Sequence, residues 1–168
     1  MTPENKPEAI SDGLFKALSG EDKLGAVIRA HIDLEARLLE LLGLLGKDED
    51  HLRKVNLEYS QCVDVAVALG LGQEHARGLR AFGNLRNEFA HKLDSKLSDS
   101  RINNLHESLS SSDKEIVQGA YVRTKFQLGG FGGGGANLKD LDSKRKFILI
   151  TVALHGMLVA ALSVLRQE

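Results

Sequence analysis

The chain has 168 residues, 42% of them hydrophobic and 27% charged, with a formal net charge of −1; this is the profile of one globular domain that buries roughly 70% of its unfolded surface. So small a net charge supplies no global field for nucleic acid, and any such contact has to use a local patch or a groove between two subunits. The single cysteine, Cys62, excludes an intrachain disulfide and a cysteine-based zinc site, and the polar start MTPENKPEAISDG lacks a signal-peptide apolar region, which reads as a reducing, cytoplasmic setting.

Trp is absent and the only prolines are Pro3 and Pro7, so a Leu, Val, Ile and Ala core and a chain free of helix breakers predict an all-α bundle. Residues 1–10 read as a flexible arm, and residues 11–168 as a single helical domain. GLFKAL predicts a helical turn or two. EDKLGAVIRAHIDLEARLLELLGLLG is the first strong helix, with Leu24, Val27, Ile28, Ile32, Leu34, Leu38, Leu41, Leu42 and Leu45 in a broad apolar stripe and Ser19 as N-cap candidate. KDEDHLRKVN is a polar connection with room for a short helical turn. SQCVDVAVALGLG is the second helix, ended by Gly70 or Gly72, and QEHARGLRAFGNLRNEFAHKL is the third, from Gln73 to Leu93.

SDSRINNLHESLS predicts a fourth helix, capped at Ser98 or Ser100. In DKEIVQGAYVRTKFQL the periodicity does not separate helix from extended chain. A glycine-rich loop follows over residues 129–142. Six of the seven residues from Gly129 to Gly135 are glycine, but Ala136-Asn137-Leu138 follows where a phosphate loop needs Lys and Ser or Thr, so the stretch reads as a flexible connection. SKRKFILITVALHGMLVAALSVLRQE closes a bundle of about five helices. Its apolar run is close to the ~20 residues that span a bilayer. His155 at its centre and the need to cover the first helix's stripe favour a core helix over a membrane anchor, with His155 as a hydrogen-bonded core histidine.

The chemistry lies on the third helix. On a wheel of about 100° per residue, Leu79, Phe82, Leu85, Phe89 and Leu93 form the core side. Arg80, Asn84, Asn87 and His91 gather on the other, with Arg86 between the two and able to reach the polar stripe through its long stem. Asn87 and His91 are an i, i+4 pair whose side chains can meet. An imidazole can exchange a proton near neutrality, a guanidinium suits phosphate oxygens, and an amide can orient either. Arg86, Asn87 and His91 together therefore suit attack of an RNA 2′-hydroxyl on its own phosphate without a metal. The same residues can instead tie helices together, with Arg86 paired to Asp33 or Glu35.

LRNEFAH resembles the signature helix of the HEPN superfamily, small all-α domains marked by Arg, a polar residue, a gap and His. IRAHIDLEARLLELL followed by VALGLGQEHARGLRAFGNLRNEFAHKL is similar, in order and spacing, to the mannitol-operon-repressor-like (MltR) branch from about Leu24 to Ser108. The resemblance implies a homodimer paired through the motif helices, whose shared cleft cuts RNA in active members. Carried over, Arg86 would stabilise the pentavalent phosphate, Asn87 would position it, and His91 would be general acid or base, with the second proton-transfer group supplied by the partner. No cofactor and no metal are implied. RNA, or a protein partner such as an antitoxin, is the expected partner besides the second copy, in a toxin, defence or regulatory role.

The alternative is a non-catalytic transcriptional regulator acting through protein partners. Direct DNA binding is not expected, because no recognition helix with clustered base-reading side chains stands out. Of the remaining candidates, His31, Asp33 and Glu35 make only a weak metal pattern, since His31 and Glu35 are the sole i, i+4 pair. His51, His75 and His106 read as surface residues. Lys144-Arg145-Lys146 reads as a solvated helix start.

Overall fold

The structure is a computed structural model that describes residues 7–46, 48–91, 96–127 and 137–167. Among them are eight α-helices and no strand: α1 (Pro7–Ser19), α2 (Lys23–Gly46), α3 (Glu49–Val55), α4 (Tyr59–Ala68), α5 (Gln73–His91), α6 (Asp99–Ser108), α7 (Ser111–Gln127) and α8 (Ser143–Leu165), with a 3-10 turn at Leu138–Asp140 before α8. The all-α reading holds. The helix count exceeds the expected five because α1, α3 and α7 are full elements. The glycine-rich stretch before Asn137, and Leu93 on the third helix, lie outside the described residues, as do residues 1–6 of the expected arm.

Two helices organise the bundle. α8 packs on α1, α2, α6 and α7, while α2 packs on α1, α3, α4, α5 and α8. That explains why α8 is apolar on all sides: with four helices around it, Phe147, Ile148, Leu149, Ile150, Ala153, Leu154 and Leu158 are all buried. The helix is long and apolar enough to cross a membrane, but here its faces are spent on the core. Its basic start is also structural. Lys144 donates to the carbonyls of Ser19 and Glu21, satisfying groups left open where α1 ends. The expectation of a merely solvated start is corrected for that residue.

Local rules account for most boundaries. α1 starts with Pro7 at its first position, where a missing N–H costs nothing, and Leu14, Phe15 and Leu18 lay it against the core. The N-cap of α2 is Asp22 rather than Ser19, because Gly25 N–H donates to Asp22 Oδ1 at 2.6 Å. The Ser19 hydroxyl turns back to the Phe15 carbonyl at 2.7 Å. A reciprocal capping box between Glu58 and Gln61 opens α4, and Gly70, at φ 118°, supplies the left-handed residue after its end. Ser98 caps α6 by accepting from Arg101 N–H.

α7 is helical throughout. Asp113, Val117, Ala120, Tyr121 and Thr124 form its buried face at helical spacing, while Ile116 and Val122 are exposed, 41% and 43%. Those two outward apolar residues blur the period that the sequence would otherwise display.

α2 departs from its expected stripe in one respect. Val27, Leu34, Leu38, Leu41 and Leu42 are buried, whereas Leu24, Ile28 and Ile32 stand 50%, 49% and 62% exposed. They recur every fourth residue, so they form a row along one side of the helix.

Candidate functional site

α5 presents the wheel as expected on its inner side. Leu79 and Phe82 are fully buried, Leu85 is nearly so, and Phe89 packs against the core as a partly buried residue. On the outer side Asn84, Asn87 and His91 are exposed and Arg86 is half-buried. Arg80 is held by Asp64 through Nε at 3.2 Å and Nη2 at 2.7 Å, which neutralises it as a phosphate donor.

Arg86, Asn87 and His91 line a single open groove of about 1050 Å³ between α5, α2 and the start of α4. The three predicted site residues are thus brought together. Arg86 Nη1 donates to Asn87 Oδ1 at 3.1 Å, so the amide orients the guanidinium. Among the described residues Arg86 forms no ion pair with Asp33 or Glu35, and the helix-tying alternative is not adopted: the Asp33 carboxylate accepts instead from His155, whose Nδ1 is 2.6 Å from Oδ2. His155 is buried, in accord with its reading as a core histidine.

The groove contains a residue that the sequence did not single out as part of this site. His31 of α2 is only 7% exposed and lines the same groove. Its ring lies 5.0 Å from that of Tyr59, tilted by 40°, and Nδ1 is 4.0 Å from Glu35 Oε2. Burial and then the Arg86 guanidinium push its pKa below the usual histidine value, with Glu35 opposing them. The imidazole is therefore neutral at pH 7. The available signal was its i, i+4 relation to Glu35, which fits a base with a carboxylate neighbour as well as it fits a metal pair. The His31, Asp33 and Glu35 metal pattern is not assembled, since Asp33 faces α8, and the described residues hold no group of three or more metal-ligating side chains.

Tyr59 is the fixed wall behind His31. Its hydroxyl donates to the Leu79 carbonyl of α5 at 3.1 Å, and burial holds the phenol protonated. Gly83 makes this close approach possible, because a Cβ there would lie 2.8 Å from two Tyr59 ring carbons. Cys62, buried beneath, is pushed up to about 11 by burial and by the Glu35 charge, which keeps it an inert thiol. Glu35, Glu58 and Asp64 also line the groove, so its charge is mixed rather than uniformly positive.

Of the remaining histidines, His51 is exposed as expected. His75 is not a bare surface residue: Nδ1 lies 3.1 Å from both carboxylate oxygens of Asp113, which is fully buried. His106 is half-buried beside a second cavity. Comparison with protein-family models, curated proteins and solved structures finds no match to this chain.

Proposed function

We propose that the chain is a HEPN-type helical domain, of the mannitol-operon-repressor-like branch, whose groove binds RNA and cleaves it without a metal. The observation that carries this reading is the convergence of Arg86, Asn87 and His91 with the neutral, buried His31 on one open groove. In the proposed step one imidazole takes the proton of a ribose 2′-hydroxyl as O2′ bonds to the adjacent phosphorus. The bond from phosphorus to the 5′-oxygen breaks, and the other, protonated histidine gives its proton to that oxygen. The products are a 2′,3′-cyclic phosphate and a 5′-hydroxyl. Arg86, oriented by Asn87, balances charge on the phosphorane oxygens. His31, kept neutral, suits the base; exposed His91 suits the acid.

The row Leu24, Ile28 and Ile32 flanks this groove, and a second copy that covers it brings two grooves side by side, which supports the homodimer. Cleavage of mixed RNA in EDTA tests the reading. The parent is expected to yield 2′,3′-cyclic ends, and Arg86→Ala, His91→Ala and His31→Gln are each expected to lower the rate by about 10²-fold or more while remaining folded. A parent that cuts nothing across a broad RNA panel overturns it. The second reading, a non-catalytic regulator working through a protein partner, then stands on the groove's three carboxylates and apolar row, which suit a protein surface better than a polyanion.

A further inference from the structure

The groove between α5, α2 and the start of α4 has little positive charge to spare. The described residues that line it include two arginines and no lysine. Arg80 is bonded to Asp64, which leaves Arg86 as the one permanent cation available to phosphate. Against it stand Glu35, 4.0 Å from the neutral His31, and Glu58, the capping carboxylate of α4. Such a groove can hold the phosphate being cut, but it offers no basic track for the phosphates on either side.

What it does offer is uncharged hydrogen-bonding groups. Asn56, in the turn between α3 and α4, and Asn84, three residues before Asn87 on the outer face of α5, are exposed and line the groove. The Asn87 amide is taken by Arg86; among the described residues neither Asn56 nor Asn84 has a side-chain hydrogen bond. Asn56 is also the only non-glycine residue at positive φ among them, at 56°, a conformation that Asn adopts more readily than most side chains.

We propose that the groove recognises unpaired RNA through its bases, with Asn56 and Asn84 as specificity-determining residues that select adenine. This rests on the RNA-binding function proposed for the groove. A side-chain amide sets a donor beside an acceptor, the complement of N6 and N7 of adenine. Glu35 and Glu58 act in the same direction: a carboxylate only accepts hydrogen bonds, so it disfavours the carbonyl edge of uracil and accepts from the amino group of adenine. In an RNA duplex the deep, narrow major groove withholds N6 and N7 from side chains, so the strand has to be single.

Fluorescence anisotropy with 2′-O-methyl octamers, in which the attacking hydroxyl is blocked, separates base recognition from cleavage. Oligo(A) is expected to bind the full chain about tenfold more tightly than oligo(U), the discrimination of one bidentate amide–base pair. Asn84→Ala, and Asn56→Gly, in which Gly keeps the left-handed turn, are each expected to reduce that preference by about threefold or more with oligo(U) binding unchanged. Arg86→Ala is expected to weaken both octamers alike. From about 50 to 200 mM salt the slope of log K against log[salt] is expected to be about −0.7, the value for one phosphate contact on a single strand. Equal affinity for the two octamers, or a slope equal to several phosphate contacts, overturns base recognition while leaving RNA cleavage standing wherever mixed RNA is still cut. Binding of neither octamer overturns base recognition too, and cleavage of mixed RNA then decides the enzyme reading separately.

Discussion

His155 Nδ1 lies 2.6 Å from Asp33 Oδ2, joining the centre of α8 to the middle of α2. His155 is 1% exposed, so the carboxylate is the polar partner of a ring buried between the two central helices. Asp33→Ala is expected to cost about 2–3 kcal/mol, the range for a hydrogen bond to a charged group whose loss strands its partner. Urea unfolding checks this. RNA cleavage per folded molecule is expected to stay at the parent level, because neither residue lines the groove; an unchanged midpoint would remove the pair from the account of stability.

The pairing of His75 with Asp113 makes a similar demand on the other flank. Asp113 is fully buried, and His75 Nδ1 meets both of its oxygens. His75→Ala leaves that carboxylate without its aromatic partner and is expected to destabilise the fold by roughly 2 kcal/mol or more. Thermal unfolding reads the loss as a fall in Tm of about 4–8 °C for a chain of this size.

Gly83 and Gly78 separate two kinds of close approach. A Cβ at Gly83 would press on ring carbons of Tyr59 at 2.8 Å, whereas at Gly78 the 2.8 Å neighbour is the far methyl of Leu109. A methyl can rotate away; a buried, hydrogen-bonded ring cannot. Gly83→Ala is therefore expected to cost about 1–3 kcal/mol and to slow cleavage by displacing His31, with Gly78→Ala milder on both counts. Equal effects in paired unfolding and cleavage assays would contradict the role given to Tyr59.

The depressed pKa of His31 sets a pH window. Its folded-state pKa lies below the usual 6.5, so on acidification the unfolded chain takes up this proton first. The stabilisation linked to the neutral ring is complete above about 6.5 and is lost as pH falls through the interval down to the folded value. Comparing urea unfolding at about pH 7.5 and 5.5, His31→Gln is expected to lose less stability on acidification than the parent. An identical loss would mean that the ring is not held neutral.

The exposed row on α2 bears on assembly. Ile32, 62% exposed, sits on the surface of one chain, so Ile32→Lys is expected to change monomer stability by no more than about 0.5 kcal/mol. It is expected to shift sedimentation from dimer to monomer, because it sets a charge in the face that the proposed dimer would cover. A parent that sediments as a monomer at all concentrations would end the homodimer proposal.

The inner and outer sides of α5 were legible in the sequence because one helix turns by a fixed angle per residue: Leu79 and Phe82 face the core and Asn87 and His91 face outward with no tertiary information needed. The helical class was legible for the same reason, together with the confinement of proline to the first seven residues. What a single helix cannot encode is its neighbour. Two apolar residues on α2, Ile28 and Leu38, look alike in the sequence, but α2 meets other helices on one side only, so one is exposed and the other buried. The same limit hid His31, which becomes a groove residue only once α4 puts Tyr59 behind it and α5 brings Arg86 alongside. Periodicity is a local property of one chain segment and determined which face each helix buries; burial, pairing and pKa depend on what packs against that face, and only the tertiary structure decided them.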